Sequence, residues 1–150
     1  MANNDEFLAA SDSEGFVTFW SIKMATPAAL WSRSFPSKIF TCACLTNDSV
    51  ILGSIFGELI VVQNGAIICS INAHSGSVMS ITKKSNTNVS PQLCISTGED
   101  GKIVVFTASG SVIKNEFVGD YLLTGVQWVE NGSVYISVYG DNYVIKHPIS

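Results

Sequence analysis

The chain has 150 residues, 47% of them hydrophobic and only 13% charged, with 12 glycines and a formal net charge of -4. That length suits one domain, and the apolar, weakly charged composition excludes a disordered chain. With 8 basic against 12 acidic residues, there is no electrostatic case for a nucleic-acid partner. The charged fraction is about half of the roughly 25% usual in soluble domains, so much of the surface is expected to lie in sheets or against a neighbour.

Met1 to Ala10 carries Asp5 and Glu6 where a secretory signal needs a basic flank and an apolar run. The longest apolar stretch, Ser49 to Val62, is broken by Gly53, Gly57 and Glu58, and no stretch approaches the 18 residues of a membrane-spanning helix. The expected compartment is therefore cytoplasmic or nuclear, with reduced thiols and no membrane partner. Cys42, Cys44, Cys69 and Cys94 are too few and too scattered for a disulfide scaffold or a zinc site, and read as small buried apolar residues. The tripeptides beginning at Asn47, Asn88 and Asn131 fit a glycosylation acceptor, but without a secretory signal they read as polar turns.

In chain order, the first element is a hairpin over Phe7 to Ile22, two apolar runs separated by a turn at Glu14-Gly15. Two weaker strands follow, Ala29 to Phe35 and Lys38 to Leu45. The plan then repeats: a hairpin around Gly57, strands Ala66 to Ile71 and Ser77 to Ile81, a hairpin around Asp100-Gly101, strands Ser111 to Phe117 and Leu122 to Trp128, and a last hairpin at Asp141-Asn142. The turn residues Gly15, Gly57, Gly101 and Asn142 are spaced by 42, 44 and 41 positions. No segment keeps a helical apolar period. The expected fold is all-β.

Four strands per unit of about 40–45 residues is the blade of a β-propeller. Residues 1–150 are expected to form a single partial propeller domain of about three and a half blades of four antiparallel strands, with hairpins near 15, 57, 101 and 142. Propellers typically close with 4–8 blades, so the ring is expected to be incomplete. Self-association, or blades outside these residues, would finish it.

Ala73-His74-Ser75-Gly76-Ser77-Val78, followed by Cys94 to Phe106, resembles a WD repeat. That resemblance implies a structural hydrogen-bond network of His74, Ser96 or Thr97, and Asp100, with Phe106 in the place of a Trp and unable to donate a hydrogen bond. Trp20 keeps the Trp place in the first unit, Val62 holds it in the second, and the fourth unit has Asp141 with His147. Asp100 to Ile113 and Ala29 to Phe35 also resemble quinoprotein-like propeller repeats, which occur in quinone-dependent dehydrogenases, outer-membrane assembly factors and some acyl-adenylating enzymes. The acidic metal ligands and quinone-stacking Trp of the dehydrogenases are missing from the pattern.

His74 and His147 lie in no nucleophile motif, and Gly98, Gly101 and Gly110 form no phosphate loop. Lys83-Lys84 opens a solvated loop over Ser85 to Gln92. Trp20, Trp31, Phe40, Trp128 and Tyr135 are expected between blades, and Tyr121, Tyr139 and Tyr143, near turns, mark a candidate partner surface. No catalytic residue, cofactor or metal ligand is expected. The sequence reads as a non-catalytic protein-interaction scaffold. The alternative is an accessory quinoprotein-like segment of a larger enzyme, such as an acyl-adenylating enzyme, with the chemistry elsewhere.

Overall fold

The computed structural model describes residues 1–3, 6–23, 25–47, 49–85, 92–129 and 132–149, with backbone alone at 2–3. Asn88-Val89-Ser90, Asn131 and most of the loop after Ser85 fall outside the described residues. Fifteen strands form four antiparallel sheets among the described residues. The first is β1 (Ala2–Asn3), β2 (Phe7–Ser11), β3 (Phe16–Ser21) and β4 (Ala28–Ser34), and the second β5 (Phe40–Leu45), β6 (Val50–Ser54), β7 (Glu58–Gln63) and β8 (Ala66–Asn72). The third is β9 (Val78–Lys83), β10 (Leu93–Gly98), β11 (Lys102–Thr107) and β12 (Val112–Phe117), and the fourth β13 (Leu123–Val129), β14 (Ser133–Val138) and β15 (Val144–Pro148). Each sheet is a meander in chain order.

The all-β expectation and the four hairpins hold: β2 with β3, β6 with β7, β10 with β11, and β14 with β15. Two details differ from the sequence reading. Ala2–Asn3 adds a two-residue inner strand, too short to leave a pattern, paired as Ala2↔Ala9. The fourth sheet has three strands, and its turn places the positive φ on Gly140 rather than on Asp141 or Asn142. That turn is longer because Ser137 pairs with Val144, leaving six residues between them.

The inner strands β1, β5, β9 and β13 touch in that order, so the sheets follow one another in an open arc. Alternating side chains build one core at each junction. Ala9, Val17 and Phe35 meet Leu45, Val50, Leu52, Ile60 and Val62 between the first and second sheets. Cys44, Ile51, Leu59 and Val61 meet Val78, Cys94, Val104 and Phe106 between the second and third. Ile95, Ile103 and Val105 meet Val126, Trp128, Val134 and Ile136 between the third and fourth. Trp31 and Phe40 pack against the first of these cores and Trp128 lies in the last. All four cysteines belong to the middle core, as free thiols. Burial pushes the Cys42 and Cys44 thiols up to about 11 and the Cys94 thiol to about 12, which keeps them protonated and unreactive at neutral pH.

One device recurs where each outer strand leaves for the next sheet. The hairpin glycine carbonyl accepts a backbone N–H from the connecting loop: Phe35 to Gly15 at 2.9 Å, Ala73 and His74 to Gly57 at 3.0 Å, and Val118 to Gly101 at 2.9 Å. These glycines have φ of 77°, 80° and 71°, and a Cβ on Gly57 would lie 2.0 Å from the His74 carbonyl oxygen. Gly140 has a similar φ of 83° but nothing within 4 Å of a would-be Cβ. Gly140→Ala should therefore cost only the left-handed conformation, about 1–3 kcal/mol. Gly57→Ala should cost clearly more, because its methyl group meets backbone. Urea midpoints of the two variants measure the difference, and equal midpoints would contradict this account.

Candidate functional site

The closest polar constellation sits where the β8–β9 connection crosses the β10–β11 hairpin. His74 lies between Asp100 and Ser96, its Nδ1 2.9 Å from Asp100 Oδ1 and its Nε2 2.9 Å from Ser96 Oγ. A carboxylate can only accept, so Nδ1 carries the proton, and in the neutral ring Nε2 accepts from the Ser96 hydroxyl. The other Asp100 oxygen accepts from the Ser75 N–H at 2.9 Å, and Oδ1 also accepts from the Lys102 N–H at 3.3 Å. Gly98 makes room for the ring, since a Cβ there would stand 2.5 Å from His74 Nδ1. Of the residues picked out from the sequence, the structure brings His74, Ser96 and Asp100 together. Thr97 is buried with its hydroxyl unpaired among the described residues, and Phe106 fills the middle core without a polar contact.

This geometry is suited to fastening rather than proton transfer, because both imidazole nitrogens are engaged and the side chain is inaccessible. Burial lowers the His74 pKa below its ordinary 6.5, outweighing the raising effect of Asp100. For Asp100 burial acts upward, but hydrogen bonds from Ser75 and His74, with the His74 charge, outweigh it and hold the carboxyl below its usual range. His147 stands elsewhere, on β15, with Nε2 3.3 Å from Glu116 Oε1. Lys84 rests its ammonium 5.3 Å from the centre of the Trp128 ring. No group of three or more His, Cys, Asp or Glu among the described residues could hold a metal ion.

The second candidate region is the end of the arc that carries the hairpin turns and the loops joining successive sheets. The Tyr139 N–H donates to the Leu122 carbonyl at 2.9 Å, which sets the β14–β15 turn beside the β12–β13 loop. Tyr121, Tyr139 and Tyr143 are 40%, 75% and 53% exposed there. The Asp141 charge, with that of Tyr121, raises the Tyr143 pKa. Ile39 and Phe56 stand exposed at the same end, joined through the Ile55 N–H to Ile39 carbonyl bond at 3.0 Å. Sequence reasoning passed over this pair, although an apolar Phe56 inside a tight turn was the available signal. At the opposite end a cleft of about 250 Å³ lies between the first two sheets, floored by Phe7, Phe19 and Leu45 and rimmed by Asn47, Gln63 and Asn64. It is smaller than the roughly 300–1,000 Å³ of small-molecule sites.

No protein-family model and no curated protein matches the sequence, whereas solved structures do. The computationally designed Ika4 protein is similar with a TM-score of 0.79 and 17% identity, over 99% of this chain and 89% of that one. A WD-repeat chain in the mitotic checkpoint complex gives 0.81 and 13%, over 99% and 47%. The WD-repeat protein U3-55K gives 0.71 and 12%, over 96% and 49%. The fold is that of a partial β-propeller. The chain spans less than half of the two WD-repeat chains it resembles, and its four sheets are propeller blades, the last without an outer strand among the described residues.

The titration of His74 has a definite sign. Its folded-state pKa is depressed, so below about pH 6.5 the unfolded chain binds the proton more readily. The contribution is complete above that pH and is lost as the pH falls through the folded value. Asp100, also depressed, loses its contribution at lower pH in the same direction. Urea midpoints should fall between about pH 7.5 and about pH 5.5. His74→Gln should be less stable at the higher pH and decline less. Ser96→Ala, which leaves Nε2 without a donor, should cost about 1–3 kcal/mol.

Proposed function

We propose that this chain is a non-catalytic protein-interaction scaffold, and that its turn-bearing end receives the partner. The observation that carries the reading is the set of exposed large side chains at that end: Ile39 and Phe56 at the second blade, and Tyr121, Tyr139 and Tyr143 between the third and fourth. Tyrosine offers a large apolar ring with a polar tip at little rotamer cost, which is why it concentrates in contact surfaces. The Gly57 and Gly101 carbonyl bonds hold the Phe56 turn and the loop before Tyr121, and the Tyr139 N–H to Leu122 carbonyl bond holds the last turn, so little ordering is needed on binding. Support also comes from the likeness to a WD-repeat chain that was solved within a protein complex. A partner segment laid over this end would use the tyrosine rings as anchors and the turn backbone as donors and acceptors.

Photo-crosslinkers placed at Tyr139 and, as a control, at Ile68 on the outer strand β8 test the reading. Crosslinks to a protein are expected from position 139, not from 68. Once that protein is identified, Tyr143→Ser should weaken its binding at least about tenfold. Turnover of a small molecule by the purified chain, or crosslinks confined to position 68, would overturn the proposal.

A further inference from the structure

Four blades in a closed ring need four junctions, and the described residues form three cores. The unmet faces can be named by carrying the repeat across. At the positions of Leu8, Ala10, Thr18 and Trp20 the second blade has Val50, Leu52, Ile60 and Val62, and the third has Cys94, Ser96, Val104 and Phe106. All eight of those interior residues are at most 2% exposed, each covered by the preceding blade. On the first blade no other blade covers this face among the described residues, and Leu8, Ala10, Thr18 and Trp20 remain partly exposed. At the other end, Ile95, Ile103 and Val105 of the third blade are sealed by the fourth. Their counterparts in the fourth are Tyr135, Val144 and Lys146, which face outward, with Tyr135 43% and Val144 58% exposed.

We infer that a second copy of this chain occupies both faces, its fourth blade seated on the first blade of the other copy and the reverse. The two end faces are the missing halves of the junction built three times inside the chain, so the contact continues an interface already present. Trp20 stands at the position of Phe106, the large ring that fills the core between the second and third blades. Opposite it the joined ring would present Tyr135, Val144 and Lys146. Lys146, paired across the strands with Tyr135, supplies a cation for the Trp20 ring, as Lys84 does for Trp128. Two four-blade arcs make an eight-blade ring, within the usual 4–8. A head-to-tail contact that closes after two copies has the commonest oligomer symmetry. The extent of the arc agrees: it covers 45%, 47% and 49% of three longer similar chains, and 89% of one solved chain of nearly its own size.

Sedimentation of the 150-residue chain tests this inference independently of the scaffold reading, which concerns a different surface. The expected species is a closed dimer of twice 16.1 kDa. Trp20→Glu and Val144→Glu should each raise the dimer dissociation constant at least about a hundredfold, with unchanged far-ultraviolet circular dichroism. Each variant spoils a different face, so mixing the two leaves one junction intact and should restore association between unlike copies. A monomer across the concentration range, open-ended growth, or sensitivity to one substitution alone would overturn the proposal. So would a dimer of each variant as tight as that of the parent.

Discussion

The hydrogen bond from each connecting loop to a hairpin glycine carbonyl is the constraint on which the rest of the molecule depends. It appears at Gly15, Gly57 and Gly101, and it joins the turn of one sheet to the segment that must start the next. Positive φ turns each of these glycines toward the loop, and the absence of a side chain lets two backbones come within contact distance. The loop is thereby held at a fixed height, and the following inner strand enters beside its predecessor. Blade succession is therefore set by main-chain geometry, and side chains are left to fill the spaces between blades.

At the third blade the same junction carries an additional layer. His74 shares the Gly57 carbonyl with Ala73 through its own N–H, and its ring spans the connection and the next hairpin through Asp100 and Ser96. A neutral imidazole with both nitrogens satisfied can be buried at little cost, whereas one left unpaired could not. The first junction uses different means: Lys38 is paired with Glu58, and Phe35 packs edge-on to Phe40. The repeat thus preserves the backbone bond and varies what reinforces it.

Much of the architecture was legible because its signals are local. The turn glycines recur at a steady interval, and the middle strands of the second and third blades read as nearly unbroken apolar runs since both faces are covered. Val50–Ser54 is buried throughout, whereas Phe7–Ser11 of the first blade is buried only at Ala9. Ala2–Asn3 was illegible because two residues carry no period, and the position of the last turn was misread because a longer loop shifts the positive φ to Gly140. His74, Ser96 and Asp100 could be picked out through a family resemblance, and spacing alone would not have joined them. Phe56 and Ile39 were missed for another reason: an apolar side chain in a loop looks like core until the sheets show which end faces solvent.

The fourth blade ends on β15, whose outer edge has no strand beside it among the described residues. An unpaired edge is a template for uncontrolled strand addition, yet this one carries Lys146 and Pro148. Proline removes an N–H from the ladder, and lysine must keep its charge in water. Sideways growth of the sheet into a fibre is thus disfavoured at the very blade that is short of a strand. Among the described residues the arc is uncovered both edgewise and face to face, and this edge is guarded against the first kind of growth while the faces remain open to a neighbour.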